Sequence, residues 1–353
     1  MLERLWSFDT HQTVHAFAGT GGDIFVACRS SHLHCIEALT GESRWDAGVL
    51  NSWGWLAVDS SRVYYLNQHS RLDAFDRLTG AVCWSRQLNG MNGWLHAFGT
   101  TVVVGGWRGY TDILAMDAAD GATRWVRPGR NRPLHSTRIH GASSSLLIAV
   151  GGQPGIFDFV DLLTGDSKAN ISVPGSWGGT FSERPIGTSG DEALVVERDD
   201  ASFTMVTGST PAVTVVELAE TIASRNLQLV DGVIPYMTPG GELVAWSLAA
   251  SRLLRLGAVH HNRLDMLPFA VLGDDLFVYG TSFGMLGLTS TTVGNRHARR
   301  ISKRVSTMIA TTKDAVIFGT AGGTVVAYTG LANMALHPPP GTLDRLGLEA
   351  PRG

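Results

Sequence analysis

Arg71–Trp84, RLDAFDRLTGAVCW, reads as a short alternating strand, an Asp-x-x-Thr-Gly turn and, four residues after the glycine, a tryptophan. Nearly the same phrase comes before it as HLHCIEALTGESRW, ending at Trp45. It comes again as TDILAMDAADGATRW, ending at Trp125, so successive tryptophans stand 39 and 41 residues apart. A period near forty made of short strands describes a four-stranded unit that cannot bury both of its faces alone. Such a unit must be sandwiched between copies of itself, as in propellers and solenoids.

Outward from this phrase the copies weaken but keep their period. Phe157–Val160 and Leu163-Thr164-Gly165 form a fourth copy with Ala169 in place of the tryptophan, and beyond it mainly the period-two alternation persists. Third-strand landmarks at Glu37, Asp76, Asp117, Asp161, Val206, Trp246, Leu288 and Tyr328 are 39, 41, 44, 45, 40, 42 and 40 residues apart, which counts eight units. The expected fold is therefore all-β, an eight-bladed β-propeller of four-stranded blades. Residues 1–330 form the single domain, and the Pro-rich, non-periodic stretch 331–353 is an extension. The eighth copy stops at AYTG without an outer strand, and ERLWSFD supplies it, because Trp6 lies 39 residues before Trp45. A ring closed by the N-terminal strand around Trp6 leaves no open sheet-stack edge.

Gly at 42 of 353 residues and charge at only 17% suit many tight turns between buried strands. A net charge of −3 and a pI near 6.4 give no basic footprint, so no nucleic-acid partner is expected. Cys28, Cys35 and Cys83 have neither CxxC spacing nor an even count, which predicts no zinc site and no disulfide framework. The start, MLERLWSFDTHQ, lacks the pattern of a secretion signal, and no apolar run approaches the roughly 18–20 residues that span a bilayer. The expectation is a cytoplasmic chain without a membrane segment.

Ala74, Asp76, Thr79, Gly80 and Trp84 spell Ala-x-Asp-x-x-Thr-Gly-x-x-x-Trp, which resembles the repeat of quinoprotein-like (PQQ-like repeat) propellers. Ala115, Asp117, Gly121 and Trp125 match with Asp120 for Thr; blade one keeps Thr40, Gly41 and Trp45 with Glu37 for Asp; blade four keeps Asp161, Thr164 and Gly165. That family includes quinone-dependent dehydrogenases and outer-membrane assembly propellers that bind no quinone, and in size this chain is closer to the latter. The resemblance implies that each tryptophan docks between blades. A quinone site would call for adjacent cysteines, which the sequence lacks, so no cofactor is expected.

Function, if it lies in the channel, must come from residues that break the repeat. Trp53, Trp55, Trp94, Trp107 and Trp177 fall in segments that emerge on one face around the channel mouth. VHAF at Val14–Phe17 and LHAF at Leu95–Phe98 are read as equivalent, placing His15 and His96 at one height on the wall, with Arg138, Arg184 and Gln228 near that ring. His135, His260 and His261 flank it. Tryptophan walls with convergent His and Arg describe a small-molecule pocket. His96, His15 and His135 are then candidate general acids or bases, and Arg138 and Arg184 candidate oxyanion holders, for a cofactor-independent cyclase, isomerase or lyase. The tryptophans, Gln228, His260 and His261 would bind the ligand. Adjacent residues on a strand point to opposite sides, so His260 and His261 with Asp265 predict no metal site, and no Cys–His nucleophile pair is expected. The alternative is a non-catalytic scaffold whose loop aromatics engage a protein partner.

Overall fold

The computed structural model describes residues 3–20, 22–29, 31–50, 54–90, 92–106, 112–127, 133–138, 145–150, 156–172, 184–189, 193–199, 202–207, 212–218, 229–258, 269–272, 276–280, 285–290, 294–300, 305–312 and 315–330. Among them the secondary structure is all β, in seven four-stranded antiparallel sheets and one of three strands. Blade one shows the plan: inner strand Val14–Thr20, then Asp23–Cys28, His32–Glu37 and outer strand Ser43–Gly48, each hydrogen-bonded to the next. In blade six the described strands are Val233–Met237, Glu242–Ser247 and Arg252–Ala258.

Alternate side chains of one strand feed the two seams on either side of a blade. This is why the second strands read as unbroken apolar runs rather than as polar–apolar alternation. In DIFVAC, Ile24 and Val26 face blade eight, in one cluster with Ile317 and Val325, whereas Phe25 and Ala27 face blade two, with Val63 and Tyr65. The pattern then runs round the ring. Tyr64 and Leu72 meet Val102 and Met116, and Val103 meets Val160 and Leu162. Pro133–Arg138 lies against Arg184–Ser189, and Val216 and Leu218 pack on Ile234 and Tyr236. Val233 and Leu256 join Phe269 and Phe277, and Ala270 and Val278 join Val316 and Phe318 of blade eight. Eight seams thus connect eight blades.

The eighth blade takes its outer strand from the other end of the chain, as the spacing predicts. Glu3–Asp9 pairs antiparallel with Thr324–Thr329, from Glu3↔Thr329 to Asp9↔Thr324. The junction into blade one is pinned by Thr10, whose amide and hydroxyl both donate to Gly323 O, at 2.7 and 2.8 Å.

The repeated tryptophan and glycine form one device used four times. Trp6, Trp45, Trp84 and Trp125 each donate the indole N–H to a carbonyl of the following blade: Ala38, Arg77, Ala118 and Leu162, at 3.0, 2.9, 3.0 and 2.8 Å. Each ring lies over the glycine of that blade's turn. A Cβ added at Gly41, Gly80, Gly121 or Gly165 would meet the indole at 2.5–2.8 Å, and all four glycines have φ between 72° and 77°. Two separate requirements therefore select glycine here, a left-handed backbone and a flat face for the indole.

Asp76 closes its turn by accepting bonds from the amides of Leu78 and Thr79 and from the Thr79 hydroxyl, at 3.1, 2.9 and 2.8 Å. In blade three, Asp120 replaces Thr and accepts the Ala122 amide at 2.8 Å, which keeps the turn. Strand pairing moves the later landmarks. The positions equivalent to Asp76 are Thr207, Ser247, Ser290 and Thr329, one residue past the sequence landmarks and two past in blade seven, because they pair with the first residue of the preceding strand or follow it in register. Ser251, at φ 47°, stands in blade six where the glycine would be.

Candidate functional site

Register decides which inner-strand residues share a height around the channel. Ala16 pairs with Ala27, Trp55 with Leu66, Trp94 with Gly105 and Arg184 with Glu197, and each partner is the fifth residue of its blade's second strand. Trp55, Trp94 and Arg184 therefore stand at one level in blades two, three and five. In blade four that level falls in the irregularity between Pro133 and Ser136, which contains His135. His96, opposite Val103, lies two residues further along, and Arg138, opposite Leu146, three.

The expected equivalence of His15 and His96 does not hold. Phe98 is itself in the pair that closes its hairpin, Phe98↔Thr101, whereas Phe17 lies three residues before the corresponding pair, Thr20↔Asp23. VHAF and LHAF are thus offset by three. His15 sits in the bulge between Val14 and Ala16, and its counterpart in blade three is Gly93, while the counterpart of His96 is Ala18. A four-residue likeness cannot override the register that the hairpin turns impose.

Where side chains are described, they serve the seams. Trp55 is half-buried against the cluster of Tyr64, Leu66 and Leu95 between blades two and three. His96 stacks on Phe98, with ring centroids 5.9 Å apart. His15 lies 6.3 Å from the Tyr65 ring. Burial, helped by the Arg29 charge, lowers the His15 pKa to about 4, so it is neutral at pH 7 and a weak base there. Trp53, Trp107, Trp177, Gln228, His260, His261 and Asp265 lie outside the described residues.

A group that the sequence reading missed lies on blade one. His32 and His34 alternate along one strand, so their rings share a face, and they stack at 5.7 Å with an interplanar angle of 10°. Cys28, on the paired strand, has its Sγ 3.6 Å from His34 Nε2, so a Cys–His pair does exist. His32 Nδ1 lies 2.9 Å from Asp46 Oδ2. The His-x-His spacing of HLHC places the two rings on one face of their strand, whereas Cys28 reaches His34 only through pairing with the preceding strand. Among the described residues no three side chains of ligand type are grouped so that they could hold a metal ion.

The rim carries a second repeated feature. Two residues after the turn's acidic residue stand Leu39, Leu78 and Leu163, with exposures of 73%, 66% and 46%, and Ala119 occupies the same place in blade three. Each projects from the outer corner of its blade.

A comparison with curated proteins found no match. The family model described as "Outer membrane protein assembly factor BamB" matches residues 3–92 and 48–255. Among solved structures, BamB from Moraxella catarrhalis is similar at a TM-score of 0.70 and 18% identity, over 93% of this chain and 100% of that one. The computationally designed Ika8 protein follows at 0.68 and 14%, over 92% and 99%. Quinohemoprotein alcohol dehydrogenase from Comamonas testosteroni is similar at 0.67 and 14%, over 93% of this chain and 76% of that one. Docked Trp–Gly seams, a ring of four-stranded blades and a family match over most of its length agree: this chain belongs to the PQQ-like propeller family represented by outer membrane protein assembly factor BamB.

Proposed function

We propose that this propeller is a scaffold that binds a protein partner, and that its channel is not the site of acid–base catalysis. The observation that carries this reading is the family match, whose description is that of an assembly factor. The exposed leucines at the outer corners of blades one, two and four support it, because they place large apolar side chains in water at the same corner of three blades. The candidate catalytic groups lend the cyclase, isomerase or lyase reading little support. His96 and Arg138 stand two and three residues from the level of Arg184, and His15, its pKa lowered to about 4, is a weak base.

The test compares two variants in the native host. The first carries Leu39→Asp, Leu78→Asp and Leu163→Asp, and the second carries His96→Ala with Arg138→Ala. Proteins that co-purify with the wild type are expected to be lost from the rim variant and retained by the channel variant. Retention by the rim variant would overturn the proposal, as would a substrate turned over by the wild type and spared by the channel variant.

A further inference from the structure

His34 stands where the ring is closed. Its ring meets Phe8 of the closing strand Glu3–Asp9 edge-on, with centroids 5.3 Å apart and planes at 66°. On its own strand it stacks on His32, on the preceding strand Cys28 Sγ faces its Nε2 at 3.6 Å, and on the following strand Asp46 is opposite it in register. The linker beyond the closing strand adds His11, whose Nδ1 lies 3.3 Å from Asp9 Oδ2.

This surrounding suits a neutral imidazole. An imidazolium has two N–H donors. Here Nδ1 is buried with no hydrogen-bond partner, and Nε2 faces a thiol that already donates to His32 O at 3.4 Å. Among the described residues the carboxylate that favours the cation is Asp46, whose Oδ2 is engaged by His32 Nδ1 at 2.9 Å. A proton on His34 would therefore leave a charged donor buried without an acceptor, unless Phe8 withdraws and water enters.

We propose that His34 is an acid-operated latch on the ring-closing strand: its protonation releases Glu3–Asp9 from blade one and frees the edge of blade eight. Burial is the largest cause holding its pKa below 6.5; Asp46 opposes it, and His32 and His11 add to it. The sign follows from linkage. The closed form binds the proton less readily than the open form, so closure is at full strength above pH 6.5 and weakens as the pH falls below it. Once released, Thr324–Thr329 becomes an unpaired edge open to strand addition.

Hydrogen exchange on the full chain tests this. After correction for intrinsic rates, the opening of Glu3–Asp9 and Thr324–Thr329 is expected to be constant above pH 7. Below 6.5 it should rise by up to about tenfold per pH unit, the limit for one linked proton. Thr101–Gly106 in blade three serves as the internal control. His34→Phe keeps a ring against Phe8 but takes up no proton, and should flatten the rise. Imidazole NMR of the wild type supplies a reading that needs no variant, with His34 expected to titrate below 6.5. Three results would each overturn the latch: a flat profile in the wild type, an unchanged rise in His34→Phe, or titration of His34 at or above 6.5.

Discussion

Replacing Trp125 isolates what one docked indole contributes to a seam. The side chain is 7% exposed, packs with Val103, Val160 and Leu162, and donates to Leu162 O at 2.8 Å. Trp125→Ala removes this buried surface between blades three and four, and core Trp-to-Ala changes cost about 3–5 kcal/mol. Trp125→Phe keeps much of the packing but leaves the carbonyl unpaired, at about 1–2 kcal/mol. Gly165→Ala attacks the same seam from its other side. Its φ of +77° costs a β-carbon about 1–2 kcal/mol, and the new Cβ would lie 2.7 Å from Trp125 Cγ, an overpacking worth about 1–3 kcal/mol more. In a Trp125→Ala background the two closest contacts, with Cγ and Cδ2, disappear, leaving the backbone part and one tight approach to the Cβ at 3.0 Å. Urea unfolding followed by far-UV circular dichroism should therefore give a coupling of about 1–3 kcal/mol between the two sites. Equal costs of Gly165→Ala in both backgrounds would refute the docking account, and so would a Trp125→Ala protein within about 1 kcal/mol of the wild type.

Three further outcomes follow from named contacts. His15 has a folded pKa of about 4 against 6.5 unfolded, so it should make stability fall as the pH drops from 6.5 toward 4, by at most about 3 kcal/mol, and His15→Leu should remove that share of the dependence in pH-resolved thermal melts while leaving the share due to His34. Asp23 is 4% exposed and holds Arg44 Nε at 2.9 Å and Arg77 Nη1 at 3.5 Å; Asp23→Ala should destabilise by about 2–3 kcal/mol, and Arg44→Ala by less, since Arg44 is half exposed. The Thr79 hydroxyl and amide hold the Asp76 carboxyl below 3.8, so NMR should find it titrating below that value, with the turn's contribution retained above 3.8 and lost as the pH falls further; a value at or above 3.8 would contradict the turn geometry.

The repeat made the architecture legible because each blade carries its own structural cause. Two-residue alternation sets the strands throughout, an acidic residue with a glycine four positions on sets the reversal in blades one to four, and tryptophans about forty residues apart set four of the seams. Even the closing strand could be located from the position of Trp6, since outer strands keep the period. The site was far less legible. His15 and His96 have the same neighbours in sequence but different distances to their hairpin turns, and only the pairing shows the three-residue offset. Cys28, His32, His34 and Asp46 come from three adjacent strands, and Phe8 comes from a strand that belongs to blade eight.

Thus the sequence by itself determined the number of blades, the turns and the seam tryptophans, all of which depend on neighbours within one repeat or at a fixed step from it. The tertiary structure decided which polar side chains meet, because those contacts depend on strand register and on the ring bringing residues 3–9 back against blade one. Local spacing carries the first kind of information, and closure of the ring creates the second.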